Sequence, residues 1–259
     1  MIPPALRDLF RYRDLLRELV VRALKVRYRR STIGFLWTML HPLIMMVVWT
    51  VLFSQVFRVQ VENYLVYALS GITFWQFFTQ TVTSNLYSLR GNSRLLTKLP
   101  VPKALFPVAT VLSGLVNFSF ALVPLLGIAL ATGSHFTFAL AFLPIGMVIA
   151  TVFTLGAGLL LAPLAVIFSD TVEVVGILLS LVLYLTPVFY PPSIIPARLQ
   201  PLFRLNPLAA ILEVFRAPLV TGSLPAGVDV MIAMASALLV FGLGAWVFTV
   251  TSRRIPLYL

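Results

Sequence analysis

Hydrophobic and polar positions alternate along this chain in long blocks rather than residue by residue. Residues 64–89, 104–134 and 136–169 contain no charged side chain at all. Each run exceeds the ~20 apolar residues that cross a bilayer core as a helix. The pattern predicts six spans, at 33–57, 64–89, 105–132, 136–168, 172–189 and 228–251, the first interrupted at His41-Pro42. Short alternating segments of the kind that build a membrane β-barrel are absent. The predicted class is therefore an all-α, polytopic membrane protein with six transmembrane helices, forming a single unit over 1–259.

Two segments depart from this block pattern. In residues 5–30, Arg7, Arg11, Asp14, Glu18, Arg22, Lys25 and Arg29 recur in steps of three and four, with Leu and Val on other faces. That is an amphipathic helix, and the spacing places it in the cytoplasmic interface with its cations near anionic lipid. In residues 190–227, prolines at 191, 192, 196, 201, 207 and 218 divide apolar sequence into pieces too short to span. A helix between Pro207 and Pro218 would reach about half the hydrocarbon thickness. Freed backbone groups at that depth need protein or water around them. The expected arrangement is a pair of short re-entrant helices on the outer side, 190–227, ahead of the last span at 228–252. Glu213 and Arg216 lie one helical turn apart and are able to pair.

Composition sharpens the picture. The chain has 259 residues, 60% hydrophobic and 10% charged, with a formal net charge of +11. Nine of the nineteen Lys/Arg fall in the first 30 residues, and four more (Arg90, Arg94, Lys98, Lys103) lie in one short loop. This distribution marks membrane orientation rather than nucleic-acid binding. With both termini cytoplasmic, fifteen Lys/Arg lie inside and four (Arg58, Arg198, Arg204, Arg216) outside.

Chemistry is scarce. The three lysines follow Leu24, Thr97 and Pro102, so there is no Gly-Lys phosphate-binding loop. His41 and His135 cannot form a paired zinc motif, and the spans lack the mid-membrane acids or bases of an ion-driven carrier. Asp170, Glu173 and Asp229 sit at span ends. No catalytic, metal or cofactor site is expected in the chain. A passive conduit driven from outside, or a structural membrane protein, remains.

At this point three stretches resemble the ABC-2 type permeases that export polysaccharides such as O-antigen, capsule and teichoic acid. They are RYRRSTIGFLWTMLHPLI at 27–44, NSRLLTKLPVPK at 92–103 and LTPVFYPPSIIPARLQPLFRLNPLAAILEVFRAPLV at 185–220. The last carries Thr-Pro-x-x-Tyr-Pro, Asn-Pro-Leu and Glu-x-x-Arg in order. One departure is Phe168-Ser169-Asp170, where many relatives carry Arg before the Asp. The resemblance implies a homodimer in the inner membrane, enclosing a channel for a lipid-linked polysaccharide. It also implies two copies of a separate ATPase subunit holding ATP and Mg, with membrane lipid around the complex. Alternatives are a permease for a small lipophilic drug or lipid, and a scaffold that transports nothing.

That reading assigns three groups of residues. Aromatic rings offer sliding sugars weak stacking contacts, so Trp37, Phe74, Trp75, Phe78, Tyr184 and Tyr190 are candidates for the channel lining. Truncating Trp75 and Phe78 is expected to slow export without harming the fold. Arg94, Leu95, Leu96, Lys98, Leu99 and Pro100 are candidates for coupling to the ATPase, on a short helix with Arg90, Arg94 and Lys98 along one face. Pro187, Pro191, Asn206, Pro207, Glu213 and Arg216 form the candidate outer re-entrant gate. Gly146, Ala150, Thr154 and Gly158 form a small-residue ridge expected to pack helices within one protomer.

Overall fold

The computed structural model describes residues 11–28, 33–53, 63–98, 101–134, 137–196, 198, 200, 203, 205–252 and 255. Their helices, in chain order, are α1 Arg13–Tyr28, α2 Trp37–Val51, α3 Tyr64–Leu86, α4 Ser93–Lys98, α5 Leu105–Ala131, α6 Leu143–Ile167, α7 Thr171–Leu185, α8 Pro207–Val220 and α9 Gly227–Ser252. Among the described residues there is no strand. The protein is an all-α polytopic membrane protein. On length and composition, Leu105–Ala131, Phe138–Ile167 and Gly227–Ser252 can each cross a membrane, and α2 and α7 are shorter apolar helices.

All six expected spans coincide with helices, but their characters differ. The helix α3 has 23 residues, about 35 Å at 1.5 Å per residue. It is less apolar than its neighbours because it carries Ser70, Thr73, Gln76, Thr79, Gln80, Thr81, Thr83, Ser84 and Asn85. Its role explains this: α3 packs against α2, α5, α6, α7 and α8 and is the hub of the bundle. A helix ringed by protein does not need an apolar face for lipid.

The apolar run interrupted at His41-Pro42 continues as one helix. Pro42 is buried inside α2, which runs on to Val51. Proline is tolerated in membrane helices where neighbours cover the freed carbonyl; α5, α6 and α8 also contain it, at Pro124, Pro163 and Pro218.

Close approach is made by small residues. The most extensive pairing is α6 with α9. There a Cβ on Gly244 would meet Gly156 O at 2.1 Å, and one on Gly156 would meet Phe241 N at 2.5 Å. The ridge predicted on α6 packs inside the protomer: a Cβ on Gly158 would press on Asn85 of α3, and one on Gly146 on the Phe215 backbone of α8. Ala150 and Thr154 are buried between them.

At one end of the bundle, α1 lies across α5. Leu15, Leu16, Leu19 and Val20 join a separate apolar cluster with Leu105, Phe106, Leu159 and Phe248. Asp14, Arg17, Glu18, Arg22 and Lys25 are exposed. The amphipathic reading therefore holds from Arg13 onward; residues 5–10, 29 and 30 lie outside the described residues.

Candidate functional site

The gate candidates come together around one stretch of irregular backbone. The helix α7 ends at Leu185 because Pro187 disfavours helical geometry at Thr186, whose φ and ψ are −107° and 127°. Pro191 repeats the constraint for Tyr190, so residues 186–190 expose carbonyls that no helix satisfies. In a membrane each such carbonyl needs a donor. The side chains provide them one by one.

Arg216, on α8 and 1% exposed, is the centre of this clasp. Its Nη1 donates to Pro187 O at 2.8 Å, its Nη2 to Val188 O at 2.9 Å and its Nε to Ser70 Oγ at 3.3 Å. Its guanidinium stands 3.8 Å from the Tyr67 ring centroid, a cation–π contact. Tyr67 OH donates to Tyr190 O at 2.8 Å and Tyr64 OH to Phe189 O at 2.8 Å. Asn206 Nδ2 donates to Leu185 O at 3.0 Å and Thr186 Oγ1 at 2.9 Å. The Asn206 side-chain oxygen meanwhile accepts from Leu208 N, capping α8, with Pro207 in the first turn. Tyr190 OH donates to Tyr184 O. Gly71 makes the closeness possible, since a Cβ there would sit 2.4 Å from both Arg216 Nη2 and Val188 O.

Two readings of the sequence change here. Glu213 and Arg216 form no salt bridge; among the described residues the ion pair found is Arg13–Asp14. Helical spacing puts Glu213 and Arg216 near one another, but freed carbonyls 28 and 29 residues away in sequence hold the guanidinium instead. Pro218 also fails to end its helix, since α8 continues to Val220. Of the two expected short helices, the described residues contain α8, its buried side packed on α3, α6 and α9; before it come a 3-10 turn, Pro192–Ile194, and helical backbone at Gln200 and Phe203.

The basic loop is built differently from the expectation. Its helix, α4, has six residues. Arg90 lies before it in a 3-10 turn and donates to Val166 O at 3.2 Å. Leu95 and Leu96 are half-buried against the cluster under α1. Part of each side chain is therefore packed within the protomer. Arg94, Thr97 and Lys98 are exposed. Leu99 and Pro100 lie outside the described residues. Lys103 Nζ donates to Ser252 O, tying the loop to the end of α9.

The sequence profile of ABC-2 type transporters matches residues 14–220, which include the clasp, the basic loop and most of α1. The chain belongs to the ABC-2 type transporter family. It is 32% identical over 250 residues to the O-antigen export system permease protein RfbA of Myxococcus xanthus, covering 96% of this chain and 95% of that protein. It is 29% identical to the RfbA protein of Klebsiella pneumoniae over 82% of each chain. It is 22% identical to the capsule polysaccharide export inner-membrane protein CtrC of Neisseria meningitidis serogroup B, over 79% of this chain and 78% of that protein.

In this ABC-2 transporter the aromatic candidates separate into two sets. Phe74, Trp75 and Phe78 are buried in the protomer core. Phe74 faces Phe215 at 6.3 Å between centroids and Phe78 faces Phe153 at 5.9 Å. Removing two buried rings costs about 3–5 kcal/mol each, so the expectation that a Trp75/Phe78 truncation spares the fold is corrected. Tyr190 is half-buried against Phe203, while Tyr184 is 74% exposed and Trp37 48% exposed. Sequence reasoning missed Tyr64, Tyr67, Ser70 and Gly71 as partners of the clasp. The available signal was the need of Pro187 and Pro191 for nearby donors.

Proposed function

We propose that this ABC-2 transporter chain is the permease subunit of an ATP-driven exporter that carries a lipid-linked polysaccharide across the cytoplasmic membrane. The end-to-end match to an O-antigen export permease carries this reading. The working unit is a homodimer with two copies of a separate ATPase subunit. ATP and Mg belong to that subunit, and the permease supplies the path without a cofactor of its own. The whole chain forms one transmembrane unit with six crossings and both termini inside, supported by the fifteen-to-four division of Lys/Arg. In this orientation α1 and the exposed Arg94, Thr97 and Lys98 form the cytoplasmic surface available to the ATPase. The clasp around Arg216 lies at the opposite, outer end, where it locks the re-entrant helix α8 to the end of α7. Trp37 and Tyr184 are the aromatic candidates left open to a passing glycan.

Deleting the chain from its host should remove the glycan from the cell surface and leave lipid-linked polymer on the cytoplasmic side. Undiminished surface glycan in the deletion strain would overturn the proposal.

A further inference from the structure

A cavity of about 740 Å³ opens between α1, the start of α2, the second half of α3 and the first half of α5. All four segments lie at the end of the bundle that carries the basic loop. Its wall includes Thr73, Gln76, Gln80, Thr83, Ser113 and Asn117, with Trp37 at the edge. We propose that this cavity binds an uncharged saccharide stretch of the polymer on the cytoplasmic side. The inference deepens the export reading and rests on it.

Three observations support a neutral sugar. Among the described residues lining the cavity, none is Asp, Glu, Lys or Arg. The one titratable side chain on the described wall, His41, shares a hydrogen bond with Gln76, and no Lys or Arg stands there to meet a phosphate. Hydroxyls and carboxamides both donate and accept hydrogen bonds, which matches the mixed capacity of sugar hydroxyls. Such a wall facing hydrocarbon chains would be costly, because polar groups in lipid need partners.

The second observation is Thr73. It lines the cavity and is buried, and its Oγ1 has no hydrogen-bond partner within the protein. Its Oγ1 is buried behind the cavity surface, so a sugar hydroxyl pairs with it once the Thr73 side chain rotates toward the cavity. The third is shape. The volume falls within the about 300–1,000 Å³ typical of small-molecule sites, enough for a short saccharide segment. Trp37 offers a ring for stacking at the edge. Leu24 and Val26 of α1 supply an apolar lip, beside which the lipid carrier can remain in the bilayer while the sugar enters.

The chain contains no cysteine, so single substitutions Gln80→Cys and Thr83→Cys report on the cavity without background. Both residues are exposed on its wall. The assembled exporter is placed in inner-membrane vesicles from cells making the native glycan and from cells blocked in its synthesis. A charged, water-soluble methanethiosulfonate is the probe, with a lipid-soluble maleimide alongside. The expected result is rapid labelling by the charged probe in the blocked cells. Labelling should be roughly tenfold slower where polymer is present at about ten times its Kd, because occupancy and reaction compete.

Labelling that ignores the glycan overturns the inference. So does labelling by the maleimide alone, which would make the occupant acyl chains. No labelling by either probe also overturns it, since the cavity would then be closed by a second copy of the chain. These failures are distinct from failure of the export reading. If the deletion strain loses surface glycan while labelling is glycan-independent, only the saccharide site falls.

Discussion

Replacing Arg216 with methionine keeps much of the side chain's length while removing its charge and donors. Val188 O and Pro187 O then lose their guanidinium donors, and the single Tyr67 OH proton, shared between Tyr190 O at 2.8 Å and Pro187 O at 3.3 Å, serves mainly the former. A buried carbonyl left unpaired costs about 1–3 kcal/mol, and the lost cation–π contact about 1–2 kcal/mol. Removing the guanidinium also removes its desolvation cost, and a fully apolar replacement of a buried charge can be neutral. Methionine replaces only one side of the arrangement, so the carbonyl penalty remains and a net loss of about 2–4 kcal/mol is expected. On the scale of soluble domains of similar size that lowers Tm by roughly 5–15 °C. Thermal scans of the detergent-purified protein, read by size-exclusion chromatography, measure it. Arg216→Lys should fall between, because an ammonium cannot reach two carbonyls with a planar fork. An Arg216→Met protein melting with the wild type would refute the clasp as a stabilising element.

Three further outcomes follow from the geometry. Cysteine at Ser223, exposed beyond the end of α8, should react with an impermeant reagent added to intact spheroplasts; reaction only after permeabilisation would reverse the outer placement of this segment. Charge reversal at Arg94 and Lys98 together should reduce co-purification of the ATPase at normal permease levels, whereas Leu95→Ala with Leu96→Ala should reduce recovery of the permease itself. Equal, normal complex recovery in both would remove α4 from the coupling surface. Gly244→Leu should abolish accumulation of folded protein, because even a Cβ would lie 2.1 Å from Gly156 O; normal Tm for this variant would contradict the α6–α9 crossing.

The helices were legible in the sequence because uncharged runs of this length have few alternatives, and the starts of α3 and α5 match the expected positions. Polar residues in the 64–89 run carried a further message, that α3 is enclosed by other helices. Pro218 reads as a helix end from sequence but lies inside α8, as Pro42 lies inside α2, where packed neighbours tolerate them. The Glu213 pairing open to Arg216 does not form for a related reason. Spacing along one helix identifies Glu213 as a neighbour, but the energetic demand comes from carbonyls freed at Pro187, which only tertiary structure brings to α8. Leu95 and Leu96 were visible as apolar residues in a basic loop; sequence alone does not say whether such residues face a partner or their own protomer. The cavity wall is assembled from four helices, so no local motif announces it.

The central claim, ATP-driven passage of polymer, is tested most directly in sealed inside-out membrane vesicles containing this chain, its ATPase and lipid-linked glycan. ATP should move glycan into the lumen, where an added glycan-degrading enzyme cannot reach it, and a non-hydrolysable analogue should not. Equal degradation with and without ATP, in vesicles whose permease–ATPase complex is assembled and hydrolysing, would contradict the account.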